Sequence, residues 1–460
     1  INLNTAINVS TGAVTIDAAG LTTVTAAGAI SATGAAPVSF GATLTGTVAT
    51  AGNVTTAGGS IRYYRAVELS GNVTLDSTNA GGFGAGADIQ FDGALTRDGT
   101  ARNLTARAGT AGNVVFAGTV GTGGAPLGAL LVVSAANVAG DIGATVDAGA
   151  VTAASLTQNA GSGTTRLGAV TLSGAMSLTG AAMDLNGTII APGGFSSTGT
   201  SFDNTGATIT TTNNNIVINH SAAVTIGAAL SSGSGIVNID STGSTINLNA
   251  AISVSSGAVT LDAAGLTTVT ASGAITATGA APVSFGATLA GTVASAGNVT
   301  TAGGAIRYYR AVELSGNVTL DSTNAGAVAS GAGIQFDGAL TRDGTARDLS
   351  VRAGSAGNIV FAGTVGTGGA PLGALLVVSA ANLAGNTGAT ADAGAITAAS
   401  LTQNAGSGTT RLGAVTLTGA MSLTGSAMDL NGTIIAPGGF SSTGTSFDNT
   451  GATITTTNNN

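Results

Sequence analysis

The residues best equipped for chemistry are Arg62, Tyr64, Glu68, Asp92 and Arg97, with Asp98 and Arg102 close by. Arg307, Tyr309, Glu313, Asp337 and Arg342 repeat the first five further along. Guanidinium, phenol and carboxylate groups on one surface suit a polyhydroxylated ligand, through charge-assisted hydrogen bonds and ring contacts. The same set could line the sugar-cleaving groove of a β-helix lyase or hydrolase. Glycoside hydrolysis, however, needs two carboxyl groups flanking the bond, and no paired aspartates with a nearby His stand out. The plainer role is a ladder of solvated ion pairs, or a lateral contact between neighbouring fibres. Exposed ion pairs contribute only about 0–1 kcal/mol each, so the sequence favours that role and assigns no catalytic residue.

Other chemistries are excluded by what the chain lacks. His220 is the single histidine and cysteine is absent, so no metal site is expected. There is no lysine, which removes the phosphate-binding loop that ends in Gly-Lys. Gly81 to Asp88 is only faintly similar to a calcium-binding nonapeptide repeat, and its Asp becomes Gly333 in the second copy. Thr208 to Thr212 and Leu21 to Thr25 raise ordered-water binding, but threonine is scattered along the chain rather than placed at every turn. No cofactor is expected.

The elements that must position these residues are short strands. Read as one strand, Ile61 to Leu69 turns Val67 and Leu69 inward and Arg62, Tyr64 and Glu68 outward. Asp92 lies 30 residues after Arg62, a spacing that could bring it and Arg97 alongside from another turn of the chain. The motif Gly-x-Val-x-aliphatic, seen at Gly71-Asn72-Val73-Thr74-Leu75, also begins at Gly12, Gly112, Gly168, Gly235 and Gly257. The steps between these glycines are 59, 41, 56, 67 and 22 residues, which suggests a period near 20. No helical period of 3.6 is sustained. We therefore expect an all-β chain forming a right-handed parallel β-helix, a β-solenoid of about 20 residues per coil.

The chain is a duplication. Ile61-Arg62-Tyr63-Tyr64-Arg65 returns as Ile306-Arg307-Tyr308-Tyr309-Arg310, at an offset of 245 that holds throughout. Residues 1–245 form a first unit of about 12 coils, and 246–460 a second unit that stops 30 residues short. With no linker between them, one continuous solenoid is expected, as an excerpt from a longer tandem array. The copies differ most where Gly82-Phe83-Gly84-Ala85 becomes Ala327-Val328-Ala329-Ser330, which reads as an outward loop. Asn213-Asn214-Asn215 reads as a turn, with asparagine stacking between coils.

Composition fits a thin core. Of 460 residues, 75 are glycine and only 7% are charged, against roughly 25% in an ordinary domain. The net charge of −8 argues against nucleic acid and anionic membrane as partners. The most apolar run, Pro126 to Val138, is too short to span a bilayer.

The runs Gly71-Asn72-Val73-Thr74-Leu75-Asp76, Ile89-Gln90-Phe91-Asp92-Gly93 and Gly112-Asn113-Val114-Val115-Phe116 resemble filamentous-haemagglutinin-type bacterial exoproteins. That resemblance implies an extracellular or cell-surface β-helix with a structural or adhesive role. The expected function is a non-enzymatic shaft, adhesin or self-assembling filament. Its partners would be further copies, joined end to end or laterally, and host or matrix glycans. The alternatives are a β-helix lyase or hydrolase and a glycan-binding module.

Overall fold

The computed structural model describes residues 1–457. It is built almost entirely of strands, most of them three residues long, and is a parallel β-helix. The one helical element among the described residues is a 3-10 turn at Ala26–Gly28. The chain divides into two compact units, Ile1–His220 and Ser221 onward.

In the first unit each coil lays down three strands, one on each of three faces. Thr22–Val24 pairs with Val48–Thr50, which pairs with Val67–Leu69, then Leu95–Arg97. Ile7–Val9, Ile30–Ala32 and Val54–Thr56 stack on the second face. Val14–Ile16, Val38–Phe40, Ile61–Tyr63, Ile89–Phe91 and Val114–Phe116 stack on the third. These ladders are all parallel. The second unit is built likewise, as in Val283–Phe285, Ile306–Tyr308, Ile334–Phe336 and Ile359–Phe361.

The alternation in the sequence explains the layout. In Val-x-aliphatic triplets the outer two residues are buried and the middle one faces out, as in Val67, Glu68 and Leu69. A strand of three residues covers about 10 Å of one face, and at many corners glycine or asparagine then turns the chain. Several corners need glycine because coils touch there. A Cβ on Gly112 would lie 2.3 Å from the carbonyl oxygens of Ala87 and Ala108.

The interior is apolar and stacked in register. On the third face Phe40, Tyr63, Phe91 and Phe116 lie ring upon ring, with centroids 4.5, 5.1 and 5.6 Å apart. Phe285, Tyr308, Phe336 and Phe361 repeat the column at 4.5, 5.1 and 5.4 Å. Coil spacing sets these distances, and the near-parallel rings shield one another from water.

Two expectations need adjustment. The coil averages roughly 22 residues rather than 20. The shortfall arises because Gly-x-Val marks a corner on any face. Gly12 and Gly112 precede third-face strands, while Gly71 precedes the second-face strand Val73–Asp76. Hence a step of 59 covers a fractional number of coils. Gly235 and Gly257 do precede strands that stack directly, with Val237 opposite Val259. Ile61 to Leu69 is not one long strand but Ile61–Tyr63 and Val67–Leu69, on different faces, with a corner at residues 64–66. The longest strand is Met176–Leu185, whose two halves follow different neighbours: Met176 stands opposite Leu156 and Leu185 opposite Leu167.

Other details match. Residues 79–85 form an exposed loop, tied at its base where Asp76 accepts from the backbone N–H of Thr78 and Ala80. Asn213 turns a corner with φ 59°. Asparagines also link successive coils: Asn137 Nδ2 donates to Asn113 Oδ1, and Asn113 Nδ2 to Asp88 Oδ1. No helix among the described residues is long and apolar enough to cross a membrane.

Candidate functional site

The corner that splits Ile61 to Leu69 also splits the polar cluster. Arg62 is the outward residue of Ile61–Tyr63, and Tyr64 begins the corner. Asp92 follows Ile89–Phe91 on the next coil, one position beyond the strand paired with Ile61–Tyr63. Arg62 Nη2 and Nε donate to Asp92 Oδ2 at 2.9 and 3.0 Å. The Arg62 guanidinium carbon lies 4.2 Å from the Tyr64 ring centroid. Gln90 Nε2 donates to Asp92 Oδ1 at 2.6 Å. Arginine, tyrosine, aspartate and glutamine thus form one rigid group, the cation–π contact adding about 0.5–1 kcal/mol.

Glu68 and Arg97 do not join it. Glu68 faces solvent from the first face, opposite Thr96. Arg97 is held by backbone, donating to the carbonyl oxygens of Pro126 at 2.8 Å and Asp98 at 2.9 Å. Asp98 is instead clamped by Arg102 through two hydrogen bonds of 2.9 and 2.6 Å. The Arg102 hydrogen bond holds the Asp98 carboxyl below its usual range. The second unit repeats the pattern. Arg307 pairs with Asp337 at 2.8 Å and lies over Tyr309, Glu313 is exposed, and Arg342 donates to Pro371 and Asp343.

Arg62, Tyr64 and Gln90 of this group line a groove of about 230 Å³ on the third face of the first unit. Ser39, Arg62 and Gln90 lie along its floor, one from each of three stacked coils. Pro37, Ser60 and Asp88 line one side, Tyr64 the other, and Ile142 overhangs it. Ile142 belongs to a loop braced by Asp141, which accepts from the backbone N–H of Thr145 and Val146 at 2.7 and 3.0 Å. The loop is anchored further by Asp147, which meets Arg166 at 2.8 Å and accepts from Asn186.

Sequence reasoning missed Ser39, Ser60, Gln90 and Ile142 as neighbours of Arg62. A signal existed, because the copies differ at three of the lining positions: Ser60 becomes Ala305, Asp88 becomes Gly333 and Ile142 becomes Thr387.

His220 is wholly buried. Its Nε2 lies 2.9 Å from Ser197 Oγ and its ring packs at 5.5 Å on Phe202. Desolvation lowers its pKa to about 4. Buried beneath the sheet, the pair has no route to a substrate and reads as a core contact. Among the described residues no three His, Asp or Glu side chains gather as metal ligands would.

Comparison with protein-family models, curated proteins and solved structures returns no match. The functional reading therefore rests on the fold and on the surface groups themselves.

Proposed function

We propose that this chain is a structural segment of a giant repetitive exoprotein, working at the bacterial cell surface or after secretion as an adhesin shaft or self-assembling filament. The observation that carries the reading is the parallel stacking of coil upon coil, with a four-ring aromatic column inside. Such a core lengthens by adding coils, with stability set by neighbour contacts, so length costs no new fold. The arginines support it as well: Arg62, Arg102, Arg166, Arg307, Arg347 and Arg411 are each paired with an aspartate of the same chain. A surface so paired suits reach and cohesion rather than turnover. Asp92 and Asp98, the carboxylates of the polar cluster, are each clamped by an arginine, which favours the structural reading over the lyase or hydrolase one.

Electron microscopy of the purified full chain tests the proposal. Rods whose length grows by about 4.8 Å per coil are expected, with end-to-end or side-by-side association as concentration rises. Compact particles at all concentrations would overturn it.

A further inference from the structure

We infer that the groove formed by Ser39, Ser60, Arg62, Tyr64, Asp88 and Gln90 is a binding site for a short neutral saccharide, present in the first copy and dismantled in the second. The size fits: about 230 Å³ holds one sugar ring, with a second ring of a disaccharide reaching out along the open groove. The polar groups are of the right kind and number. Arg62 spends Nε and Nη2 on Asp92, Gln90 spends its amide N–H on Asp92, and Asp88 uses Oδ1 for Asn113. Among the described residues, Arg62 Nη1, Gln90 Oε1, Asp88 Oδ2 and the hydroxyls of Ser60 and Tyr64 have no hydrogen-bond partner within the protein. Both donors and acceptors are therefore on offer, as a row of sugar hydroxyls requires.

Charge selects against acidic ligands. The positive charge of Arg62 is cancelled by Asp92, and Asp88 leaves the groove one negative charge. A sulfated or uronic saccharide would be repelled, whereas a neutral one loses nothing. The site is also held in place in advance. Arg62 is fixed between Tyr64 and Asp92, and Ile142 sits on a loop pinned by Asp141 and Asp147, so little ordering is left to binding.

The second copy isolates the features that matter. It keeps Arg307, Tyr309, Gln335 and Asp337 but has Ala305, Gly333 and Thr387, which removes a hydroxyl, a carboxylate and the apolar overhang. Its fold adapts to the loss: Asn358 donates to the backbone oxygen of Thr387 instead of to a carboxylate.

The test uses the full chain and a panel of neutral disaccharides (cellobiose, chitobiose, maltose, lactose), with a sulfated disaccharide alongside. Binding is read by saturation-transfer NMR and calorimetry. At least one neutral disaccharide should bind at one site per chain, with a Kd of about 1 mM or tighter. Ser60→Ala, Asp88→Gly and Ile142→Thr together should weaken it at least about tenfold. That variant copies a working stretch of the second unit, so unfolding does not confuse the result, and unchanged circular dichroism checks this. Conversely, Ala305→Ser, Gly333→Asp and Thr387→Ile together should raise the stoichiometry to two. Gly333 has room for the change, a Cβ there lying 3.6 Å from Asn358 O. Absence of neutral binding, preference for the sulfated sugar, or indifference to both triple variants would each overturn the assignment.

Discussion

Protonation of His220 should loosen the first unit in mild acid. The ring is wholly buried and stacked beside Phe202, and desolvation lowers its pKa from 6.5 to about 4. Because the folded value lies below the unfolded one, the unfolded chain binds the extra proton first as pH falls. Stability is therefore complete above pH 6.5 and is lost progressively down to about pH 4. A gap of about 2.5 units, at 1.36 kcal/mol per unit, corresponds to about 3 kcal/mol. Long coil stacks do not unfold in one step, so the loss should be local. Hydrogen exchange of amides in Phe195–Asp203 and Ile216–His220 is the suitable assay. Between pH 7 and pH 4, after correction for intrinsic rates, their opening free energy should fall by about 3 kcal/mol. In His220→Leu it should stay flat, while the Ile7–Val9 and Ile30–Ala32 ladder should be unaffected in both proteins. An equal slope in the variant, or no slope in the native chain, would refute the reasoning.

Other outcomes follow from the packing. Phe91→Ala should destabilise the first unit by about 3–5 kcal/mol, as should Phe336→Ala the second; each ring is 1% exposed within an aromatic column, and denaturant melts of both variants check it. Asp240 stands opposite Asp262 one coil on, and burial with that neighbouring charge raises its carboxyl pKa. Its charged form is thus disfavoured in the fold, so Asp240→Asn should stabilise the protein at pH 7 and have no effect in acid, measured by melting temperature across pH. Gly112→Ala should be strongly destabilising because two carbonyl oxygens lie within 2.3 Å of the new Cβ. Gly99→Ala, with nothing within 4 Å, should fall within about 0.5 kcal/mol of the parent.

Much of the fold was legible because alternation in Val-x-aliphatic triplets states directly which side chain is buried. Coil length was less so. The same triplet serves all three faces, and nothing in Gly71-Asn72-Val73 tells which face it occupies. Corners were harder still: Tyr64-Arg65-Ala66 carries no glycine or proline, so the run through Leu69 reads as unbroken. The Arg62–Asp92 pair was within reach since one coil separates them. The groove was not, because Ile142 comes from a loop folded back across intervening coils, anchored where Arg166 meets Asp147. Differences between the copies at 60, 88 and 142 were the available clue. Its meaning depends on knowing that stacking unites them.

The direction of the hydrogen bonds has a mechanical consequence. Strands run around each unit's axis, so the bonds joining one coil to the next lie along it. A pull on that axis loads them a rung at a time, as in opening a zip, rather than shearing many together. Each unit should yield early and gradually under tension, releasing chain in instalments of one turn, and should take up the slack again when the load is removed.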